Sequence, residues 1–170
     1  MTRLEQDICL IGMPGSGKST IGKLLGQRFK VSFYDIDRYI EKKHQKKVSE
    51  IYKESEENFR VIEKIAIKEI INLSPRIIST GGGTVKSDSS MTLLKKDRLI
   101  LFINRPIEEI KDEIDINRPI FSNDSTRIYK LYEERYPLYK RYSDIEIINS
   151  GDINLVIKKI INKVNYNLGV

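Results

Sequence analysis

A chain of 170 residues, 32% charged and 39% hydrophobic, has the composition of one globular domain able to bury a core, which excludes a disordered or fibrous protein. Its net charge of +6 is spread along helical segments with no basic block interleaved with aromatics, so nucleic acid is not an expected partner. The lone cysteine, Cys9, excludes an internal disulfide framework, and with no membrane-length apolar run or signal-type opening a cytoplasmic protein is expected; a monomer is expected as well.

Short β-type runs alternate with helical ones. "DICLIG" predicts a strand entering a glycine-rich turn, and "KSTIGKLLGQRF" the helix after it. "VSFYDID", Val31 to Asp37, predicts a second strand, followed by a charged helix from Arg38 to about Lys47 that carries the only histidine, His44, on solvated surface. From Val48 to Leu73 the apolar positions Phe59, Ile62, Ala66, Ile70 and Leu73 keep the helical period, and one continuous helix is expected. "RIIST" is a third strand ended by Gly81, Gly82 and Gly83; "DSSMTLLKK" is a short helix capped by its aspartate, and "RLILFI" a fourth strand. "PIEEIKDEI" opens with proline at a helix start, and "DINRPIFSND", Asp115 to Asp124, predicts a projecting loop. The chain resumes as helix to Asp144 with Pro137 as an expected bend, then "IEIIN" as a fifth strand and "DINLVIKKIINKV" as a closing helix. Such alternation predicts an α/β fold, a three-layer α/β/α arrangement around a five-stranded parallel sheet, in a single domain over residues 1–170.

"GMPGSGKST" fits the phosphate-loop pattern G-x-x-x-x-G-K-[ST] from Gly12 to Ser19, between a predicted strand and a predicted helix, which is the context the motif requires. Gly12, Gly15 and Gly17 let backbone N–H groups converge on phosphate oxygens; Lys18 reaches the β- and γ-phosphates, and the Ser19 hydroxyl is a Mg²⁺ ligand. Pro14, Ser16 and Thr20 belong to the same nucleotide site. The loop does not identify what receives the phosphate. An acid beside the metal is supplied by "FYDID": Asp35 ends the second strand, and Asp37 points to the same side if strand geometry continues. Two carboxylates there can divide the work, one at Mg²⁺ and one at an acceptor hydroxyl.

Taken together, "GMPGSGKSTIGKLL", "FYDID", "SEENFRVIE", "STGGGTV", "NRPIF" and "ERYPLY" resemble shikimate kinase in order and nearly in spacing, over most of the chain. The resemblance implies a P-loop fold of the nucleoside-monophosphate-kinase type, and Mg²⁺-dependent transfer of the ATP γ-phosphoryl to the 3-hydroxyl of shikimate. It assigns Asp35 to Mg²⁺ and Asp37 to the acceptor hydroxyls as candidate base. It assigns Arg60 and Arg135 to the shikimate carboxylate, Glu63 to orienting Arg60, and Gly81, Gly82 and Gly83 to the shikimate pocket. Arg118 matches the arginine of a lid, about 114–124, that closes over the transferring phosphate, and the segment about 36–63 matches the shikimate-binding helices. Three features depart from the family. Ser55 stands where a glycine usually precedes Glu56, the segment from Ile107 to Arg118 is short, and no arginine matches the one that flanks adenine. The adenine is therefore expected on "INSGD", Ile148 to Asp152.

The physical chemistry suits these assignments. Arginine pairs with a carboxylate through its planar fork, and glycines at a strand end let backbone N–H groups approach a small ring. "TGGG" lacks the lysine a second phosphate cradle needs, so the triplet reads as the floor of the acceptor pocket, and Gly82→Ala is expected to spare nucleotide binding. Two alternatives stay open at this level: another P-loop small-molecule kinase, such as a gluconate kinase, and a catalytically weak nucleotide-binding module.

Overall fold

The computed structural model describes Leu4 and residues 6–117 and 126–167. Five strands, β1 (Asp7–Ile11), β2 (Phe33–Asp35), β3 (Ile77–Ser79), β4 (Arg98–Asn104) and β5 (Ile145–Ile148), form one parallel sheet in the order β2-β3-β1-β4-β5. Eight helices among the described residues alternate with them: α1 (Lys18–Phe29), α2 (Ile36–His44), α3 (Val48–Glu54), α4 (Glu56–Asn72), α5 (Asp88–Lys95), α6 (Ile107–Asn117), α7 (Thr126–Tyr142) and α8 (Ile153–Asn167). None of them is long and apolar enough to cross a membrane.

The strands are apolar on both faces because both faces are covered, as parallel sheets require. Along β1, Cys9 and Ile11 join one core with Ile78, Ile100 and Phe102 beneath α2, α4, α5 and α7. Ile8 and Leu10 join the other with Ile77, Leu101 and Ile147 beneath α1 and α8. Each fully buried isoleucine or leucine contributes roughly 1.5–3 kcal/mol through water exclusion, and the same alternation sets the register, with Cys9 opposite Ile78 on one side and Ile100 on the other. Cys9 is a core residue: burial pushes its thiol up to about 12, which makes it inert. Alpha-1 meets the sheet edge through its glycines, and a Cβ at Gly22 would strike the Phe33 ring.

The structure corrects four local expectations. Beta-2 ends at Asp35, and Asp37 lies in the first turn of α2 instead of continuing the strand. The Asp35 side chain caps that helix by accepting from the Arg38 N–H at 3.0 Å, which stops the extended run. The long helix from Val48 is broken at Ser55, whose backbone is extended (φ −162°, ψ 115°) and whose hydroxyl accepts from the Asn58 N–H at 3.1 Å. Alpha-5 is capped by Ser87, not Asp88, through a bond from the Ser90 N–H. Alpha-6 continues through residues 115–117, expected as loop. Arg118 and most of the expected lid lie outside the described residues. Pro137 is inside α7, which runs on past it.

Candidate active site

The phosphate loop leaves β1 at Gly12 and enters α1 at Lys18. Gly12, Gly15 and Gly17 have φ of 150°, 77° and 91°, values that favour glycine. Close approach also requires glycine at two of them: a Cβ at Gly12 would collide with the Ile103 carbonyl, and one at Gly17 would lie 2.6 Å from Asn149 Nδ2. The buried Lys18 ammonium donates to the Gly12 and Met13 carbonyls at 2.8 and 2.7 Å and sits 3.4 Å from Ser16 Oγ. It is therefore held in the mouth of the loop. Pro14 and Ser16 lie on the same turn, and Ser19 and Thr20 in the first turn of α1.

Beta-2 delivers its carboxylate to this point. Ser19 Oγ donates to Asp35 Oδ2 in a short bond that brings two hard oxygen donors together at the rim of the loop. Among the described residues no group of three or more His, Cys, Asp or Glu could hold a metal by itself. A hydroxyl and one carboxylate fit Mg²⁺ instead, which keeps its waters and takes further ligands from substrate phosphates.

Asp37 is placed differently from Asp35. Its Oδ1 is buried with no hydrogen-bond partner. Burial raises its carboxyl to about 6, reinforced by the negative charges of Asp35 and Glu63 and opposed by Lys18. A buried carboxyl raised in this way beside the phosphate loop is chemically suited to accepting a proton.

Alpha-4 and α7 supply the arginines. Arg60 Nη1 donates to Glu63 Oε2 at 2.8 Å across one helical turn, and Glu63, fully buried, also accepts from Thr84 Oγ1 at 2.7 Å. The Arg60 guanidinium also lies 5.2 Å from the Phe59 ring centroid and 5.8 Å from that of Tyr52. Arg135 is buried on α7, and its Nε has no partner. Arg60 and Arg135 both act on one carboxylate, lowering Glu56 after the larger effects of the Tyr52 hydroxyl and Lys86. The planar fork of an arginine is suited to pairing with a planar anion, and the buried Arg135 Nε has an N–H to give.

Gly81 to Gly83 link the two halves. None of the three is among the positive-φ glycines, so the triplet answers to space, not to backbone geometry. A Cβ at Gly81 would lie 2.9 Å from Asp37 Oδ1 and 3.3 Å from Glu63 Oε1. One at Gly82 would strike Pro14, 2.6 Å from its Cγ and 2.8 Å from its N, with Cδ closer still. One at Gly83 would reach Arg60, 3.1 Å from Cζ, with Nη2 closer still. Gly82 packs against the phosphate loop itself, which points away from the expectation that Gly82→Ala spares nucleotide binding and makes the opposite outcome the prediction.

The site includes residues that sequence reasoning passed over. Tyr139, one turn beyond Arg135, is fully buried, stacks on Phe102 at 5.0 Å, and donates to the Gly82 carbonyl at 2.6 Å. Its hydroxyl also lies 3.8 Å from Met13 Sδ, so one phenol touches both glycine loops. Helical spacing in "ERYPLY" was the available signal. Thr84 and Arg105 carried none, because their partners are distant in sequence, and Asn149, inside the segment expected to hold the adenine, instead donates to the Ser16 carbonyl of the phosphate loop.

Comparison with known proteins agrees with this geometry. The sequence model described as shikimate kinase matches residues 14–165. A shikimate kinase of Clostridium botulinum (strain Alaska E43 / Type E3) is 43% identical over 158 residues, covering 92% of this chain and 96% of the relative. One from Clostridium beijerinckii is 40% identical over 158 residues, with coverage of 92% and 94%. Among solved structures, a shikimate kinase from Acinetobacter baumannii in complex with shikimate matches with a TM-score of 0.86 and 28% identity, covering 95% of this chain and 94% of that one. The chain belongs to the shikimate kinase family.

Proposed function

We propose that this member of the shikimate kinase family transfers the γ-phosphoryl group of ATP to the 3-hydroxyl of shikimate, giving shikimate 3-phosphate and ADP. The observation that carries the proposal is the buried, unpartnered Asp37 Oδ1, which meets Gly81 in the same triplet whose next two glycines meet Pro14 of the phosphate loop and Arg60.

Each residue then has a role its surroundings support. The phosphate loop binds the triphosphate through the N–H groups of residues 12–19, with the Lys18 ammonium reaching the β- and γ-phosphates. Ser19 and Asp35 are the residues that would hold Mg²⁺, which when bound would neutralise charge on the triphosphate. Arg60, oriented by Glu63, and Arg135 bind the shikimate carboxylate, and the anion supplies the partner that the buried Arg135 Nε lacks. Gly81 to Gly83 form the wall between acceptor and phosphates. Asp37 accepts a hydrogen bond from the attacking hydroxyl. As the new O–P bond forms and the bridging bond to ADP breaks, the hydroxyl proton passes to Asp37. A loose transition state places that proton transfer late, so orientation of the hydroxyl precedes its deprotonation. Arg118 is assigned from its motif as the lid residue over the transferring phosphate, with the lid at about 114–124.

The test is coupled ADP release with ATP, Mg²⁺ and a panel of shikimate, quinate, gluconate and nucleoside monophosphates. Turnover of shikimate above the others is the expected result. Turnover of gluconate but not shikimate would support the gluconate-kinase alternative, and nucleotide binding without turnover of any acceptor would support a weak nucleotide-binding module.

A further inference from the structure

A phosphate loop that turns its N–H groups inward turns carbonyls outward, and these need donors from elsewhere in the fold. Two such donors come from the ends of β4 and β5. Arg105 Nη1 donates to the Gly15 carbonyl at 3.1 Å, and Asn149 Nδ2 to the Ser16 carbonyl at 2.8 Å. Arg105 does not stop there. Its Nε donates at 3.3 Å to Glu109 Oε2, one turn along α6, and Glu109 Oε1 accepts from Ser150 Oγ at 2.6 Å. Asn149 and Ser150 are neighbours, so the bonds close into a circuit: phosphate loop, Arg105, Glu109, the segment after β5, and back to the phosphate loop.

We infer that Arg105 is a nucleotide-positioning residue, which through Glu109 and Ser150 fixes the phosphate loop relative to the segment Ile148–Asp152. The inference rests on the nucleotide half of the proposed function and not on the identity of the acceptor. A surface Arg–Glu pair at i,i+4 by itself contributes little. Arg105 differs from such a pair in two respects. Its side chain is only 24% exposed, and its fork spends separate N–H groups on a carboxylate and on a loop carbonyl. Gly15, whose carbonyl it holds, is in the left-handed region (φ 77°), where an unsupported turn has other conformations to visit. The Ser150 hydroxyl first, then Arg105, keep the Glu109 carboxyl below the usual range.

The experiment is titration of the full chain with MgADP by calorimetry, alongside Michaelis constants for ATP and shikimate. Arg105→Ala is expected to weaken MgADP binding and raise the ATP constant about ten-fold, the loss expected for a charge-assisted bond, with the shikimate constant within about two-fold of wild type. Arg105→Lys, which keeps the charge but not the fork, should fall between the two. Glu109→Gln should act in the same direction more weakly, and should add nothing in the Arg105→Ala background. Unchanged MgADP binding in Arg105→Ala would overturn the inference, as would a parallel rise of both Michaelis constants. If Arg105→Ala does not fold, Glu109→Gln and Ser150→Ala probe the same circuit from exposed positions, and no effect on MgADP there overturns it equally. Calorimetry needs no acceptor, so wild-type binding of MgADP without turnover of shikimate would fail the acceptor assignment alone.

Discussion

Alanine at position 83 separates the two halves of the site. Gly83 has φ −100° and ψ −1°, which alanine adopts without strain, so the added methyl acts through contact only. Its Cβ would lie 3.1 Å from Arg60 Cζ and 3.2 Å from Nη1, with Nη2 closer still. These atoms are the far end of a flexible side chain, and the guanidinium can swing aside while the backbone stays. Doing so breaks the 2.8 Å bond to Glu63 and moves Arg60 off the acceptor carboxylate. A hydrogen bond to a charged group contributes about 1.5–3 kcal/mol, which converts to a shikimate Michaelis constant raised roughly ten- to a hundred-fold. The protein also loses stability by about 1–3 kcal/mol, because Glu63 stays buried with Thr84 as its remaining side-chain partner.

Gly82→Ala meets something harder. The new Cβ would lie 2.8 Å from Pro14 N and 2.6 Å from Cγ, so a ring and a backbone atom of the phosphate loop must move. MgADP affinity should fall about ten-fold or more in this variant and change less than two-fold in Gly83→Ala. Steady-state kinetics with each substrate varied, together with calorimetric MgADP titration, read both effects. If Gly82→Ala binds MgADP like wild type, or if Gly83→Ala weakens both substrates equally, the steric reading of the triplet is refuted.

Asp37→Asn should lower turnover about 10²–10⁴-fold, the range for loss of a positioned base, with MgADP affinity little changed. Its raised carboxyl, about 6 when folded against 3.8, means the native state holds its proton more tightly than the unfolded chain. Asp37 therefore diminishes stability as pH rises from about 4 to above 6, by about 3 kcal/mol at most. Denaturant unfolding at pH 8 should accordingly find Asp37→Asn more stable than wild type, and equal stabilities would contradict the burial argument. Catalytic efficiency of the wild type should rise through about pH 6 as Asp37 of the free enzyme ionises, seen in the pH profile of kcat/KM for the acceptor. Tyr139→Phe leaves the Gly82 carbonyl without its 2.6 Å donor, and a loss of about 1–3 kcal/mol is expected, measurable as a lowered denaturant midpoint.

Features written in contiguous residues were legible in the sequence. The phosphate loop is one segment whose glycines, lysine and hydroxyl are all local, and the parallel sheet follows from alternating runs that both layers cover. Local capping competed with propensity elsewhere. "VSFYDID" has the β-branched and aromatic character of a strand throughout, but the Asp35 side chain turns back to the Arg38 N–H and starts a helix two residues before the apparent end. Ser55 broke an otherwise periodic helix in the same way. The glycine triplet was read correctly as a place of close approach, but what approaches it could not be seen. Its three neighbours, Asp37, Pro14 and Arg60, come from three other segments. Arg105 was illegible for the same reason, being 90 residues from the carbonyl it holds.

These long-range contacts share one edge of the sheet. Beta-1 ends at the phosphate loop, β2 at Asp35, β3 runs through Thr80 to the glycines, β4 leads to Arg105 and β5 to Asn149. Every strand thus contributes its carboxyl end, where ligands bind in open α/β sheets. The order β2-β3-β1-β4-β5 explains the division of labour. Strands on one side of β1 lead to Asp35 and the glycine triplet, proposed for the metal and the acceptor, and strands on the other carry the groups that brace the phosphate loop from outside. The phosphate loop is the shared wall, touched by Gly82 through Pro14 and by Arg105 through Gly15. A change at Gly82 or Arg105 should therefore reach the nucleotide, whereas a change at Arg60, or at Gly83 packed on it, should reach only the acceptor. The Gly82, Gly83 and Arg105 variants test that asymmetry from three directions.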